Sequence, residues 1–233
     1  LFATLIIGTI ICQLGSLIGG ELGAYLTSMG NVAKSMTGAG IGVGVASKLK
    51  SGPLVTVAAA VTGMIGAFPA VMSMEGFAIG KPGEPLGAFV AAIVGIKLGQ
   101  LVSGKTKVDI IVTPLVSIFT GAMVGFFVGP PITAFMTWLG ELVNVNVEQY
   151  PVLGGIIVSV LMGMILTLPI SSAAIGVSMG ITGLAAGAAT VGCCCQMVGF
   201  AISSWRDNGF SGFLAQGLGT SMLQVPNIMK HPL

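Results

Sequence analysis

A short polar segment, residues 74–87, carries the densest group of side chains that could bind a solute. It holds the carboxylates of Glu75 and Glu84 and the ammonium of Lys81 among glycines and prolines, between two strongly apolar stretches. Non-helical backbone at membrane depth is tolerated only where it lines a cavity or is buried in protein. Carboxylates and free backbone groups there can hydrogen-bond the hydroxyls of a polar solute. The segment therefore predicts substrate binding by Glu75, Lys81 and Glu84; an exposed turn is the alternative interpretation.

Three further charged side chains lie within or beside apolar stretches. Glu21 and Lys34 flank the first expected connection between helices, and Lys97 lies inside a later apolar run. Because burying a charge in a bilayer is costly, each is a candidate functional residue. We expect Glu21, Lys34 and the uncharged Asn31 to contact substrate. The alternatives are interfacial placement of Glu21 and Lys34 and snorkelling of Lys97 towards the membrane surface.

A second break in an apolar stretch is the run Leu168-Pro169-Ile170-Ser171-Ser172. Proline removes a helix hydrogen bond, and nearby hydroxyls can satisfy the carbonyl groups that it leaves unpaired. Ser171 and Ser172 are therefore further candidate substrate-binding residues.

The sequence offers no group of residues typical of an enzyme or a metal site. It contains no nucleophile elbow, phosphate-binding glycine loop or metal motif. Cys193, Cys194 and Cys195 are consecutive, so on a helix they point about 100° apart and cannot converge on one ion. His231 lies at the end of the chain. We expect no catalytic residue, no cofactor and no metal.

The composition indicates which kind of secondary structure positions these candidate residues. Hydrophobic residues make up 54% of the 233 residues and charged residues only 7%, against roughly 25% charged in soluble domains. Residues 1–20, 51–74 and 149–205 contain no charged side chain, and a membrane-spanning helix needs about 20 mainly apolar residues. The net charge of +2 is too small to suggest nucleic-acid binding. The composition predicts an all-α, polytopic transmembrane bundle.

Glycine, with 37 residues, supports this interpretation because small residues let helices in lipid approach closely. Three runs fit tight helix–helix seams: Gly15–Gly19–Gly23, Gly38–Gly40–Gly42–Gly44 and Gly176–Gly180–Gly183–Gly187.

Apolar runs and breaks predict about seven or eight spans, some of them broken or re-entrant. We expect the pair Pro130-Pro131 to end a helix and a polar loop to cover 203–209. The expected spans are 1–20, 31–47, 53–73, 86–103, 109–128, 151–169 and 177–202. A less apolar helix or a surface segment is expected at 132–148, and a weaker apolar segment at 211–224.

Basic residues predict the orientation, since basic loops stay cytoplasmic. Lys48 and Lys50 follow the second expected span, and Lys105 and Lys107 follow the fourth. Two spans separate the pairs, so both should lie on the cytoplasmic face.

The same two regions suggest an internal repeat. Pro53-Leu54-Val55-Thr56 follows the first basic pair, and Pro114-Leu115-Val116-Ser117 follows the second. Repeats of this kind recur in transporters, and an even number of spans between the copies makes the repeat parallel. Chance matching of glycine-rich helices is the alternative.

Four stretches together resemble a bacterial family related to EIIC, the membrane subunit of the sugar phosphotransferase system, in its type 2 form. They are GKPGEPLGAFVAAIVG (80–95), SGKTKVDIIVTPLVS (103–117), PISSAAIGVSMGITGLAAGAATVGCCCQMVGFAISS (169–204) and LAQGLGTSMLQVPNIMKHP (214–232). The resemblance covers essentially the whole chain. We therefore expect one transmembrane EIIC-like domain, 1–233, truncated at one or both ends.

The resemblance implies a multi-pass permease of the bacterial plasma membrane that binds a sugar within the bilayer. It implies a cytosolic EIIB partner that phosphorylates the sugar from a phosphocysteine, and a homodimer. Glu84 matches the glutamate–proline element of sugar-binding EIIC loops. The chain departs from the pattern because it contains neither an EIIB-like domain nor the paired His and Glu of several sugar EIICs.

The favoured hypothesis is a permease that moves a sugar or similar small polar solute. A transporter or channel outside the phosphotransferase system is the first alternative, and it would need no EIIB partner. A membrane sensor that binds but does not translocate its ligand is the second.

Overall fold

In the computed structural model, residues 2–68, 83–167, 172–219, 221–224 and 228 are described. These residues form helices joined by short turns and include no β-strand, which confirms the all-α class. The chain divides into two compact units, Leu1–Phe135 and Met136–Leu233. The expectation of a single domain stays a prediction.

The helices follow one another with few intervening residues. Single π-helical turns cover Phe2–Ile6 and Ala215–Gly219, and a 3₁₀ turn covers Ser221–Gln224. The α-helices are α1 Ile7–Ile18, α2 Gly20–Ser35, α3 Thr37–Lys48, α4 Pro53–Ala67, α5 Pro85–Val102, α6 Asp109–Gln149, α7 Pro151–Ile165, α8 Ser172–Met179, α9 Gly183–Ser203 and α10 Trp205–Leu214.

In unit 1, helices α1 and α2 form a tight hairpin. Its turn uses Gly19 and Gly20, whose φ angles of 67° and 61° glycine adopts at no steric cost. A Cβ added at Gly15 would meet the carbonyl of Gly23, so the predicted seam through these two glycines is confirmed. The prediction of a connection flanked by Glu21 and Lys34 is wrong, because that stretch is helical.

Helices α3, α4 and α5 pack through backbone-to-backbone contacts of small residues. Gly42 lies against the carbonyl of Ala59, and Gly66 lies against that of Gly87. Each successive pair is antiparallel, so α3 and α5 run parallel to each other. Van der Waals contact at short range replaces the hydrophobic effect as the force between helices in lipid.

Helix α6 begins in unit 1 and ends in unit 2, and it runs unbroken through Pro130 and Pro131. The prediction that these prolines end a helix is wrong. Transmembrane helices tolerate proline because neighbouring groups satisfy the freed backbone. At 41 residues the helix is about 60 Å long, roughly twice the thickness of the bilayer's apolar core.

In unit 2, helices α7 and α9 run parallel, with Gly192 against the backbone of Ser159 and Gly163 near Gln196. Their core contains Val158, Met162, Ala185 and Ala189.

Two expectations for unit 2 are wrong. The span at 177–202 is broken between Met179 and Gly183, and most of the expected loop at 203–209 belongs to α10. A Cβ at Gly176, Gly180, Gly183 or Gly187 would meet nothing within 4 Å, so these glycines form no seam among the described residues.

Three described helices are long and apolar enough to cross a membrane: α5, α6 and α9. Other apolar helices are shorter, among them α4 and α7. The expected 31–47 span is likewise divided, with α2 and α3 meeting at Met36. The apolar helical architecture is confirmed, whereas seven to eight full spans are not.

Candidate functional site

Glu84 is a buried carboxylate at the start of α5 in unit 1. Its side chain is 6% exposed, and its Oε1 accepts a hydrogen bond of 2.9 Å from the amide of Leu86. Its own amide donates to the carbonyl of Ala67 at 2.8 Å, which fixes the start of α5 beside the end of α4.

The local sequence explains this placement. Gly83 has a φ of 70°, and Pro85 occupies the first turn of α5, where its missing amide hydrogen costs nothing. A carboxylate before such a proline caps the free amide groups of the helix and is stabilised by the positive end of the helix dipole. The sequence thus holds an acidic side chain at a defined point in an apolar bundle.

Lys34 and Asn31 lie on α2, on the side that faces α1. A Cβ at Gly8 would meet the aliphatic stem of Lys34. The Oδ1 of Asn31 accepts from the Cys12 thiol at 3.5 Å. Both side chains are half-buried, so polar groups are placed within the α1–α2 hairpin.

Glu21, a further unit 1 candidate, is separated from Lys34. Glu21 is exposed in the first turn of α2, about 20 Å along the helix from Lys34 at 1.5 Å per residue. Glu75 and Lys81 lie outside the described residues. The structure therefore does not bring Glu21 and Lys34 together.

In unit 2, Ser172 begins α8 and lines a groove of about 280 Å³ with residues of α9, including Thr190 and Cys193. Ser171 lies outside the described residues. The Cys193 thiol lies 3.8 Å from the carbonyl of Met162. Cys194 and Cys195 are exposed.

A cluster of uncharged polar side chains lies near the end of α9, also in unit 2. Ser221 donates to Oε1 of Gln196 at 2.5 Å, and Gln224 Oε1 accepts from both Asn208 and Gln216 at 3.3 Å. Gln216 is only 3% exposed and belongs to a π-helical turn, a feature that frequently marks functional sites.

Two atoms of this amide cluster are buried without a hydrogen-bond partner: Gln196 Nε2, a donor, and Gln216 Oε1, an acceptor. Leaving a buried polar atom unpaired costs about 1–3 kcal/mol. Gln196 also lines a groove of about 350 Å³ between α7 and α9, with Ser159 and Thr167. The cluster therefore holds one unused hydrogen-bond donor and one unused acceptor.

All residues of the chain, 1–233, match the protein family described as "Phosphotransferase system, EIIC". The chain belongs to this EIIC family. The resemblance stated from the sequence is confirmed. Neither the curated proteins nor the solved structures contain a match.

Family membership and the apolar helices make this EIIC chain a membrane-embedded protein of the phosphotransferase permease type. Membership also implies an EIIB-type partner, because phosphate transfer in this system needs one.

Sequence reasoning missed most of the amide cluster of the EIIC chain. Gln196 could be recognised as a polar residue in an apolar run, but Gln216 lies in a weakly apolar segment that resembles the family without marking this residue. Its burial depends on the π-turn at Ala215–Gly219, which hydrophobic periodicity does not indicate.

Proposed function

We propose that this EIIC-family protein is a permease for a sugar or a similar polyhydroxy solute. EIIC membership supports the permease, and the chemistry of the buried polar groups supports the solute class. The protein would work with a separate cytosolic EIIB that supplies the phosphoryl group.

The observation that carries the solute class is the pair of unpaired amide atoms in the amide cluster. A hydroxyl group both donates and accepts, so the hydroxyls of a polyhydroxy solute match both kinds of unpaired atom, the donor Gln196 Nε2 and the acceptor Gln216 Oε1. Among the described residues, the cluster contains amides and hydroxyls but no charged side chain. A neutral, hydroxyl-rich solute therefore suits it better than an ion does.

Within unit 1, Glu84 is proposed as a substrate contact in its own right, because a carboxylate can accept hydrogen bonds from two hydroxyls. Lys34 and Asn31 stay predictions supported by their half-buried position in the α1–α2 hairpin. Glu21, Glu75, Lys81, Ser171 and Ser172 also stay predictions as substrate contacts.

The bacterial plasma membrane and a homodimeric assembly are proposed from the family resemblance. The basic residues of unit 1 give the orientation, with Lys48, Lys50, Lys105 and Lys107 on the cytoplasmic side. An EIIB partner would then approach that face.

The test is a thermal-shift screen of the detergent-solubilised protein against sugars, polyols and vitamins. A ligand at 100 times its Kd stabilises the folded state by about 2.7 kcal/mol, and each kcal/mol raises the Tm by about 2–4 °C for this chain length. We expect a sugar or polyol to raise the Tm of the wild type. The Gln216→Leu variant should show no such ligand-dependent rise in Tm.

Gln13→Leu is the matched control, since Gln13 is an exposed amide on α1. It should keep the full ligand-dependent rise. If Gln216→Leu also keeps it, the amide cluster is not the binding site. If no sugar or polyol but only a charged metabolite stabilises the protein, the proposed solute class is wrong.

A further inference from the structure

An open apolar groove lies between α3 and α5 in unit 1. Its volume is about 540 Å³. It is lined by apolar side chains and glycines with two lysines: Gly40, Ile41, Gly44, Val45, Lys48, Leu49, Phe89, Ile93 and Lys97.

The lining residues follow one face of each helix. Phe89, Ile93 and Lys97 recur every four residues on α5, and Gly40, Gly44 and Lys48 do so on α3. At a rise of 1.5 Å per residue, each apolar stripe is about 12 Å long. Because α3 and α5 run parallel, both stripes reach their lysine at the same end of the groove. The glycines leave room beside Phe89, which is 43% exposed.

Both lysines lie at the basic end of unit 1. Gln100 holds this end together, since its Nε2 donates to the carbonyl of Leu49 at 3.2 Å and to Ser51 Oγ at 2.9 Å. Lys50, Lys105 and Lys107 occupy the adjacent turns.

Neither lysine is neutralised within the described part of unit 1, where Lys48 and Lys97 make no ion pair. Asp109 is the acidic residue of the adjacent turn, and its Oδ1 already accepts from the amide of Gly104 and from Thr113 Oγ1. Two ammonium groups therefore lie at the end of the groove without a nearby counter-charge.

We propose that this groove binds one anionic phospholipid, with its phosphate between Lys48 and Lys97 and an acyl chain along the α3 and α5 stripes. Basic pockets between helices on the cytoplasmic side are suited to acidic headgroups. The lining is too apolar for a polyhydroxy solute, and the two cations favour a lipid over an uncharged apolar partner.

The test measures the Tm of the detergent-solubilised chain during titration with phosphatidylglycerol or with phosphatidylcholine of the same acyl chains. Phosphatidylglycerol should raise the Tm in a saturable way, and phosphatidylcholine should not. In the Lys48→Gln/Lys97→Gln variant the half-saturating concentration should rise about 30-fold, since each lysine near an acidic headgroup contributes about 1 kcal/mol.

The Lys105→Gln/Lys107→Gln variant is the matched control because it loses the same charge from the same end. It should titrate like the wild type. If this control loses as much affinity for phosphatidylglycerol as the Lys48→Gln/Lys97→Gln variant does, the effect is a diffuse one of surface charge and the proposal is wrong. Equal Tm responses to the two lipids would also overturn the proposal.

A second variant tests the apolar part of the groove. A Cβ at Gly44 would meet nothing within 4 Å, so Gly44→Leu should fold and fill the groove. It should abolish the phosphatidylglycerol response, whereas Gly199→Leu, at an equally open position of α9, should keep it. If Gly44→Leu instead changes the dimer fraction and leaves the lipid response intact, a second copy occupies the groove and the proposal is wrong.

Discussion

At the residue scale, Glu84 combines a structural contact with the proposed binding role. Its carboxylate caps α5 through the amide of Leu86, and its side chain is almost fully buried. A cap alone does not require the negative charge, because any side-chain oxygen of suitable reach can accept this hydrogen bond.

Glu84→Gln separates the two roles. The amide oxygen of glutamine can still accept from Leu86, so we expect the Tm without ligand to fall by no more than about 4 °C, equivalent to about 1 kcal/mol. The sugar-dependent rise in Tm should be lost, because the amide accepts fewer hydrogen bonds and carries no charge.

Glu84→Ala is the comparison variant for this test. It removes the cap as well, and it should destabilise the unliganded protein by about 1 kcal/mol more than Glu84→Gln does. A Glu84→Gln protein that binds the sugar as tightly as the wild type would leave Glu84 with the capping role only.

The sequence indicates Glu84 more clearly than Gln216 for a physical reason. An acidic residue before proline and after glycine is a local signal, since it marks a helix start and a charge in an apolar run. The burial of Gln216 depends on contacts made across unit 2, and these are not encoded in its immediate neighbours.

At the element scale, the glycines show what periodicity predicts and what it does not. Spacing predicts the seam through Gly15 and Gly23 and the close approach at Gly42, and the structure confirms both. Spacing also predicts a seam at Gly176–Gly187, which is absent among the described residues because those glycines face open space. Spacing shows that helices can approach closely, but it does not show which helix face has a neighbour.

The α7–α9 seam gives a stability prediction. A Cβ at Gly192 would overlap the backbone of Ser159, so Gly192→Ala should force the helices apart and cost about 1–3 kcal/mol. Gly199→Ala on the same helix meets nothing within 4 Å and should leave stability unchanged or raise it by up to about 1 kcal/mol.

Thermal unfolding in detergent, followed by the fluorescence of Trp138 and Trp205, measures the difference between these two variants. If both have the same Tm, then α7 and α9 do not make the backbone contact described here.

At the scale of the whole molecule, composition predicts the class of protein better than it predicts the number of spans. The scarcity of charge indicates lipid as the solvent, and family membership agrees with it. The span count fails because apolar runs do not reveal where a helix turns. The division of the 31–47 stretch at Met36 and the continuity of α6 through Pro130-Pro131 both differ from the pattern in the sequence.

The placement of both basic pairs at one end of unit 1 agrees with the sequence, and the cytoplasmic orientation of that end stays a prediction. The parallel arrangement of α3 and α5 places the lysines that follow each helix at one end, as the spacing of the basic pairs predicts. The parallel repeat stays a prediction, although the antiparallel pairs α3–α4 and α5–α6 are consistent with it.

The most direct test of the permease is entry of the stabilising sugar into proteoliposomes that contain the purified protein, with EIIB and its phosphoryl donor enclosed in the vesicles. The account predicts that the sugar enters in a saturable way, faster than it enters protein-free vesicles and faster than its mirror image enters. The Gln216→Leu variant should lose this entry. A sugar that raises the Tm but enters no faster than into empty vesicles would contradict the account and would indicate a sensor that binds without translocation.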